Sequence, residues 1–369
     1  MNIVFLKLYI TNDVDNKFYN SQEIGLARAI CKADPEHRVD IVFLSRSVSY
    51  RKKIVDSERI SVHTLPARGI GHHGFLDLSI LEELHADYVH LLADNMIYAP
   101  DVINYCNRKG IGCHLYIGTL FSDSDKWYKQ AIGKLFMTRN IRAYRKVQVY
   151  TKTPKVMEQC RQLGIDAKLA PVGLPEEALI ISDRSAEDIR KEYGIPADKK
   201  ILLFVGRLEA YKHPLDSIEL LKRLGNGYHL CLVGKGSLQK EIESRIIQYN
   251  LDSSVTLLPQ VPNTQMKDLF KACDYYVNFN PDEIYGMAIL EAMSHECLVV
   301  AIKAAGPDFL VDNGVTGFIC SNVGEMADKI AEIGSKESNF SAEEMLEKAR
   351  HRVLEKFTWE KTRECFDCF

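Results

Sequence analysis

No stretch of this sequence reaches the roughly 18 uninterrupted apolar residues that a membrane-spanning helix needs, so no segment reads as a span. A charge excess of one sign is also missing. There are 47 Lys+Arg against 50 Asp+Glu, a formal net charge of −3, whereas nucleic-acid binders usually carry a marked basic surplus. The ten cysteines show no framework spacing, which argues against a disulfide scaffold and for reduced thiols in the cytoplasm. Cys365 and Cys368 form a lone C-x-x-C at the chain end, with no second pair to complete a zinc site. The opening MNIVFLKLYI is too short and too charged for a signal peptide and reads as a first buried strand.

What is present belongs to a soluble globular protein: 46% hydrophobic and 26% charged residues over 369 positions. That length exceeds what a single core usually serves, so two domains of roughly 150–200 residues are expected. The charge is unevenly divided. Residues 1–180 hold 24 basic and 20 acidic side chains, and residues 181–369 hold 23 and 30, so the halves are suited to different partners.

Apolar runs of strand length alternate with segments of helical period throughout. The first half offers NIVFLKLYI, VDIVFLS, DYVHLLA, GCHLYIG and VQVYTKT; the second offers KILLFVGR, YHLCLVGK, SVTLLPQ, DYYVNFN, CLVVAIK and GFICS. Strands apolar on both faces, each followed by a helix, predict parallel sheets covered on both sides. Two sets in series predict two doubly wound α/β domains. The polar, proline-punctuated segment after Gly173 holds one amphipathic helix near Ala186–Tyr193 and marks the boundary. The expected organisation is residues 1–172, residues 173–352, and a C-terminal helical piece, residues 353–369. The aromatics of that piece, Phe357, Trp359, Phe366 and Phe369, are expected to dock back on the first domain.

Ligands of open parallel sheets bind beyond the carboxyl ends of the strands. After LLFVG come Arg207 and Lys212; after YYVNFN comes PDEIYGM, which opens a helix. The N–H groups of Gly286, Met287 and Ala288 are then first-turn donors without intrahelical partners, at the positive end of a helix dipole. Such an end is an anion site, and two cations from a neighbouring loop complete a cradle for a diphosphate. Glu291, four residues after Met287, lies one turn below on the same face and suits the vicinal diol of a ribose. Glu283, before the helix, projects over its start and suits hydroxyls of whatever the diphosphate carries. Ribose, diphosphate and a polyhydroxylated tail together describe a nucleotide sugar.

VGRLEAYKHP, LVGKGSLQKEIE, PDEIYGMAILEAMS and NGVTGFI resemble the retaining glycosyltransferases of family 4, as do ADYVH, QVYTKT and APVGLP less closely in the first half. The resemblance implies a GT-B fold, two Rossmann-like domains facing a deep cleft, with an acceptor-binding first domain and a nucleotide-sugar-binding second. It makes Arg207 and Lys212 the diphosphate ligands, and gives Gly286, Met287 and Ala288 backbone contacts to phosphate. Glu283 becomes the donor-sugar ligand, Glu291 the ribose ligand and Val261 a nucleobase contact, with Glu283, Arg207 and Lys212 as the catalytic set. It implies transfer with retained configuration, no cofactor and no metal. The donor is a UDP-sugar in preference to a GDP-sugar, and the acceptor a glycan or lipid-linked hydroxyl.

The sequence departs from that family in three places. No Gly-Gly pair follows the first strand; Gly25 is the nearest glycine and lies inside a helical pattern. Gly118 stands where members commonly carry a histidine. Glu296 and Leu298 replace a glycine and a proline after EAMS. Two other functions therefore stay open, a non-catalytic sugar-binding or partner subunit and a sugar-nucleotide epimerase. Asp94 and Asn95, ending the strand DYVHLLA, are either acceptor contacts or helix caps. His90 and His114 read as core or supporting histidines rather than bases. Gly234–Gly236 is either a phosphate loop or a tight turn, and Asp123–Asp125 only resembles a metal-binding pair. Lys126–Lys146 holds seven basic residues and no acid, and is either a solvated face or a contact with an anionic membrane.

Overall fold

A computed structural model describes residues 1–11, 22–120, 127–335 and 341–369, with the backbone alone for residues 11 and 127–135. The chain forms two compact units, residues 1–173 with 359–369, and residues 174–358.

The first unit is built on a sheet in the order Ala167–Leu169, Gln148–Thr151, Gly112–Ile117, Tyr88–Leu92, Asn2–Thr11, Arg38–Ser45, Ile60–Pro66, Lys52–Ser57. Neighbours are parallel except the last pair, which is antiparallel. The five strands expected from their apolar runs are all there. Lys52–Ser57 gave no such signal because it is an edge strand, almost wholly exposed, whose two lysines protect the edge from pairing with other chains. The central strand is irregular: its register with Arg38–Ser45 shifts between Leu6 and Ile10. Val4, Leu6, Val89, Leu91, Leu115 and Val149 fill the core beneath the helices.

The C-terminal return starts at Trp359 rather than at residue 353, since Ala342–Lys356 is one continuous helix of the second unit. The short helix Trp359–Glu364 packs on the helix Gln22–Ala33. A Cβ on Gly25 would lie 2.0 Å from Trp359 Nε1, so the glycine in that helix makes room for the indole. Phe366 stacks on His114, with ring centroids 5.1 Å apart.

The second unit has six parallel strands in the order Val255–Leu258, Tyr228–Val233, Lys200–Val205, Tyr275–Asn278, Leu298–Ile302, Phe318–Cys320. In chain order this is 3-2-1-4-5-6, the doubly wound Rossmann-type arrangement. Leu202, Leu230, Leu232, Val277 and Val300 on one face of the sheet, and Ile201, Leu203, Cys231, Tyr276 and Val299 on the other, are fully or almost fully buried, as the apolar runs required. The helix Ala186–Tyr193 begins at Ser185, whose hydroxyl accepts from Asp188 N, and ends at Gly194 in the left-handed conformation. Among the described residues no helix is long and apolar enough to cross a membrane, and all ten cysteines are free thiols.

Candidate active site

The second unit's strand order reverses between Lys200–Val205 and Tyr275–Asn278, which are hydrogen-bonded neighbours. Loops leaving the carboxyl ends of those two strands part there and open a crevice. Arg207 and Lys212 follow the first strand; Glu283 and Gly286 follow the second.

Lys212 and Glu283 meet across this gap. Lys212 Nζ donates to Glu283 Oε2 at 2.6 Å, with 25% and 12% of the two side chains exposed. Asn280 Nδ2 donates to the same oxygen at 3.3 Å, while Asn280 Oδ1 accepts from Asp282 N at 3.0 Å. The backbone is fixed as well: Glu283 O accepts from Gly306 N at 2.8 Å, and Glu283 N donates to Asn280 O at 3.3 Å. Asn280 was missed as a site residue. Its signal was the N-P-D triplet, in which an asparagine side chain shapes the turn that follows.

Gly286 precedes the helix Met287–Ser294 with φ +100° and ψ 65°. Its carbonyl takes the N–H groups of Ile289 at 2.9 Å and Leu290 at 3.4 Å, so the intrahelical ladder starts there. The N–H groups of Met287 and Ala288 precede the ladder and carry the dipole's positive end. A Cβ on Gly286 would lie 2.8 Å from Ile289 Cδ1 and 3.5 Å from Glu283 Cγ, which places the helix start against the Glu283 side chain.

Glu291 is one turn further on, and loss of hydration pushes its carboxyl up to about 7. The buried Tyr276 phenol feels the charges of both Glu283 and Glu291, so the two carboxylates share one neighbourhood. Arg207 is exposed and among the described residues makes no hydrogen bond or ion pair; the Glu209 carboxyl is held below the ordinary range by hydrogen bonds from Ser237, with a lesser contribution from the Arg207 charge. Val261 is buried in the loop after Val255–Leu258. The structure thus brings Lys212, Glu283 and the helix start together, with Glu291 below them, and leaves Arg207 extended into solvent.

Gly234–Gly236 is a tight turn with a structural use. Leu208 N donates to Lys235 O and Leu238 N to Leu208 O, both at 2.9 Å, and a Cβ on Gly236 would lie 2.3 Å from Leu208 O. The glycines let this loop press on the segment that carries Arg207.

In the first unit, Asp94 and Asn95 are held within the fold. Asp94 Oδ1 accepts from the N–H groups of Gly118 at 2.6 Å and Thr119 at 3.2 Å, and Asn95 Oδ1 accepts from Asn140 Nδ2 at 2.8 Å. Neither caps the helix Ala99–Lys109, whose N-cap is Tyr98. His90 Nδ1 and His114 Nε2 are 2.5 Å apart in full burial, which pushes His114 down to about 3 and His90 well below the ordinary histidine range. Both are core groups beneath the C-terminal aromatics. Cys368 Sγ approaches His114 Nδ1 at 3.2 Å and Cys365 Sγ approaches Lys361 O at 3.4 Å, so the C-x-x-C sulfurs have different partners.

Asp123–Asp125 lie outside the described residues. Of the basic run Lys126–Lys146, Lys126 and the side chains of Lys129 and Lys134 lie outside the described residues; Arg139 forms two hydrogen bonds to Asp101 at 2.7 and 2.8 Å, and Arg145 Nε donates to Leu163 O at 3.2 Å.

Against known structures the fold is GT-B. HepE of Anabaena, solved with UDP, aligns over 99% of this chain and 98% of its own, with TM-score 0.76 and 18% identity. Sucrose-phosphate synthase of Thermosynechococcus elongatus aligns over 99% and 97%, with TM-score 0.73 and 18% identity. Residues 185–352 match the family described as "Glycosyl transferases group 1". The D-inositol 3-phosphate glycosyltransferase of Mycolicibacterium smegmatis is 26% identical over 190 residues, or 50% of this chain. That match spans 42% of the relative's length.

Proposed function

We propose that this protein transfers a sugar from a nucleoside-diphosphate sugar to a hydroxyl group, with retained anomeric configuration. The observation that carries the proposal is the 2.6 Å Lys212–Glu283 pair beside the Gly286 helix start, at the second unit's strand-order reversal. A lone structural ion pair has no reason to lie against unpaired helix N–H groups; a diphosphate joined to a sugar needs both. Lys212 has three donors and spends one on Glu283, so two remain for phosphate oxygens. Arg207 supplies a second cation, and Met287 and Ala288 supply backbone donors. Glu283 and Asn280 read hydroxyls of the donor sugar, Glu291 reads the ribose, and Val261 lies along the base.

As the glycosidic bond breaks, negative charge grows on the diphosphate and positive charge on the sugar. Donors already fixed on the diphosphate strengthen most in that state, so they speed the reaction more than they tighten substrate binding. The acceptor hydroxyl attacks from the face the diphosphate leaves, through an oxocarbenium-like state. Two cations and a helix start meet the leaving charge, so this reading needs no metal ion.

HepE, a fold neighbour, was solved with UDP, which favours a UDP-sugar over a GDP-sugar. The acceptor is proposed to be a glycan or a lipid-linked glycan in polysaccharide or glycoconjugate assembly. Membrane contact through Lys126–Lys146 has less to rest on, since Arg139 and Arg145 are engaged within the first unit. Calorimetry with UDP and GDP, followed by sugar release from UDP- and GDP-sugars, tests the proposal. Tighter binding of UDP and turnover of a UDP-sugar are expected; absence of binding to both nucleotides refutes it.

A further inference from the structure

At the carboxyl ends of the first unit's strands lies a second charged group, which the donor site above does not use. Lys7, level with Leu92 of the neighbouring strand, donates to Glu23 at 2.7 Å. Glu23 is buried in the first turn of the helix Gln22–Ala33. Beside it, Gln22 Oε1 accepts from Lys152 Nζ at 2.9 Å. Lys152 directly follows the strand Gln148–Thr151, and Asp94 follows Tyr88–Leu92. The order of this sheet reverses between Asn2–Thr11 and Tyr88–Leu92, where ligands of such sheets bind.

Lys152 is the member that calls for an explanation. A Cβ on residue 118 would lie 3.1 Å from Lys152 Cδ and 3.6 Å from its Nζ. The lysine stem therefore runs close against the face of residue 118 that a side chain would use. Its head lies 5.2 Å from the centroid of the buried Tyr116 ring, whereas a lysine used only for its stem turns its head to water. An ammonium has three N–H donors. Among the described residues one of them meets an acceptor, the neutral amide oxygen of Gln22. The carboxylates that feel its charge have other partners: Glu23 holds Lys7, and Asp94 Oδ1 holds the amides of Gly118 and Thr119. A half-buried cation with one neutral partner is poised for an anionic oxygen.

We propose that Lys152, whose stem runs beside Gly118, binds a phosphate oxygen of a substrate at the first unit's strand ends. The proposal rests on the glycosyl-transfer reading, and the oxygen it assigns belongs to a phosphate borne by the acceptor. Lys152→Met keeps the stem against Tyr116 and removes the donors; Lys152→Arg keeps the charge.

Inorganic phosphate is titrated with UDP saturating, so that the second unit's proposed diphosphate site is filled and phosphate held there is not counted. Lys152→Met is expected to melt no lower than its parent and to lose about 10- to 100-fold in affinity for phosphate, with Lys152→Arg retaining most of it. Unchanged phosphate affinity in Lys152→Met overturns the proposal and leaves the glycosyl-transfer reading standing, because that reading is tested separately by the effect of Lys212→Ala on UDP binding and turnover.

Discussion

Replacing Lys212 and Glu283 singly and then together separates what their pair does for folding from what it does for a ligand. At 2.6 Å and an effective dielectric near 20, their Coulomb attraction is on the order of 6 kcal/mol before desolvation of the two ions, which offsets most of it. Removing one partner leaves the other ion largely buried and uncompensated, so Lys212→Met and Glu283→Gln should each destabilise the protein by about 3 kcal/mol. The double variant, with two neutral side chains of similar length, should recover about 2–3 kcal/mol of the combined loss. Urea unfolding reads this coupling. UDP affinity should behave differently: Lys212→Met loses about 10- to 100-fold, the equivalent of one charge-assisted hydrogen bond, and the double variant recovers none of it. Full recovery of UDP affinity in the double variant would mean that Lys212 acts only by keeping Glu283 folded, and the donor assignment would fall.

Three further outcomes follow from the same region. Gly286→Ala forces a side chain onto φ +100° and against Ile289; a loss of about 1–3 kcal/mol in urea unfolding and weaker UDP binding are expected, and wild-type values for both would place the helix start outside the donor site. Glu291 has its folded pKa raised to about 7 by burial, so its contribution to stability is full below the unfolded value and is lost as pH rises through about 7. Glu291→Gln should therefore gain stability over the parent at pH 8 and little at pH 4, while the parent's UDP affinity climbs toward pH 7 as the ribose-binding carboxylate forms and the variant's stays flat. Glu296 occupies φ +59°, a left-handed conformation that a glycine adopts without steric penalty; Glu296→Gly should raise stability by about 1 kcal/mol, and a loss in thermal unfolding would contradict this.

Glu296 also shows how sequence pattern and geometry connect. The resembling family carries glycine there because the turn needs positive φ, and this chain keeps the turn with a residue that pays for it in strain. The second unit was legible strand by strand because its buried parallel strands are unbroken runs of Val, Ile and Leu, a signal that neighbours do not blur. Glu283, Gly286 and Glu291 were legible because they are close in sequence and their spacing places them around one helix start. Other features left no pattern to read. The Lys52–Ser57 edge strand has no apolar face, and the Trp359–Gly25 contact and the Lys152–Gly118 approach join residues that are far apart in the chain.

Those long-range contacts bear on the positions at which the first unit departs from its resembling family. Gly25 belongs to the helix after the first strand, and Trp359 closes over it, so any side chain there would displace the C-terminal return that also brings Phe366 onto His114. Gly118 is tied to Asp94 through its N–H and to Lys152 through space, so a side chain at position 118 would press on the lysine stem and require it to shift. Gly25 with Trp359, and Gly118 with Lys152, are thus fitted to one another within the first unit.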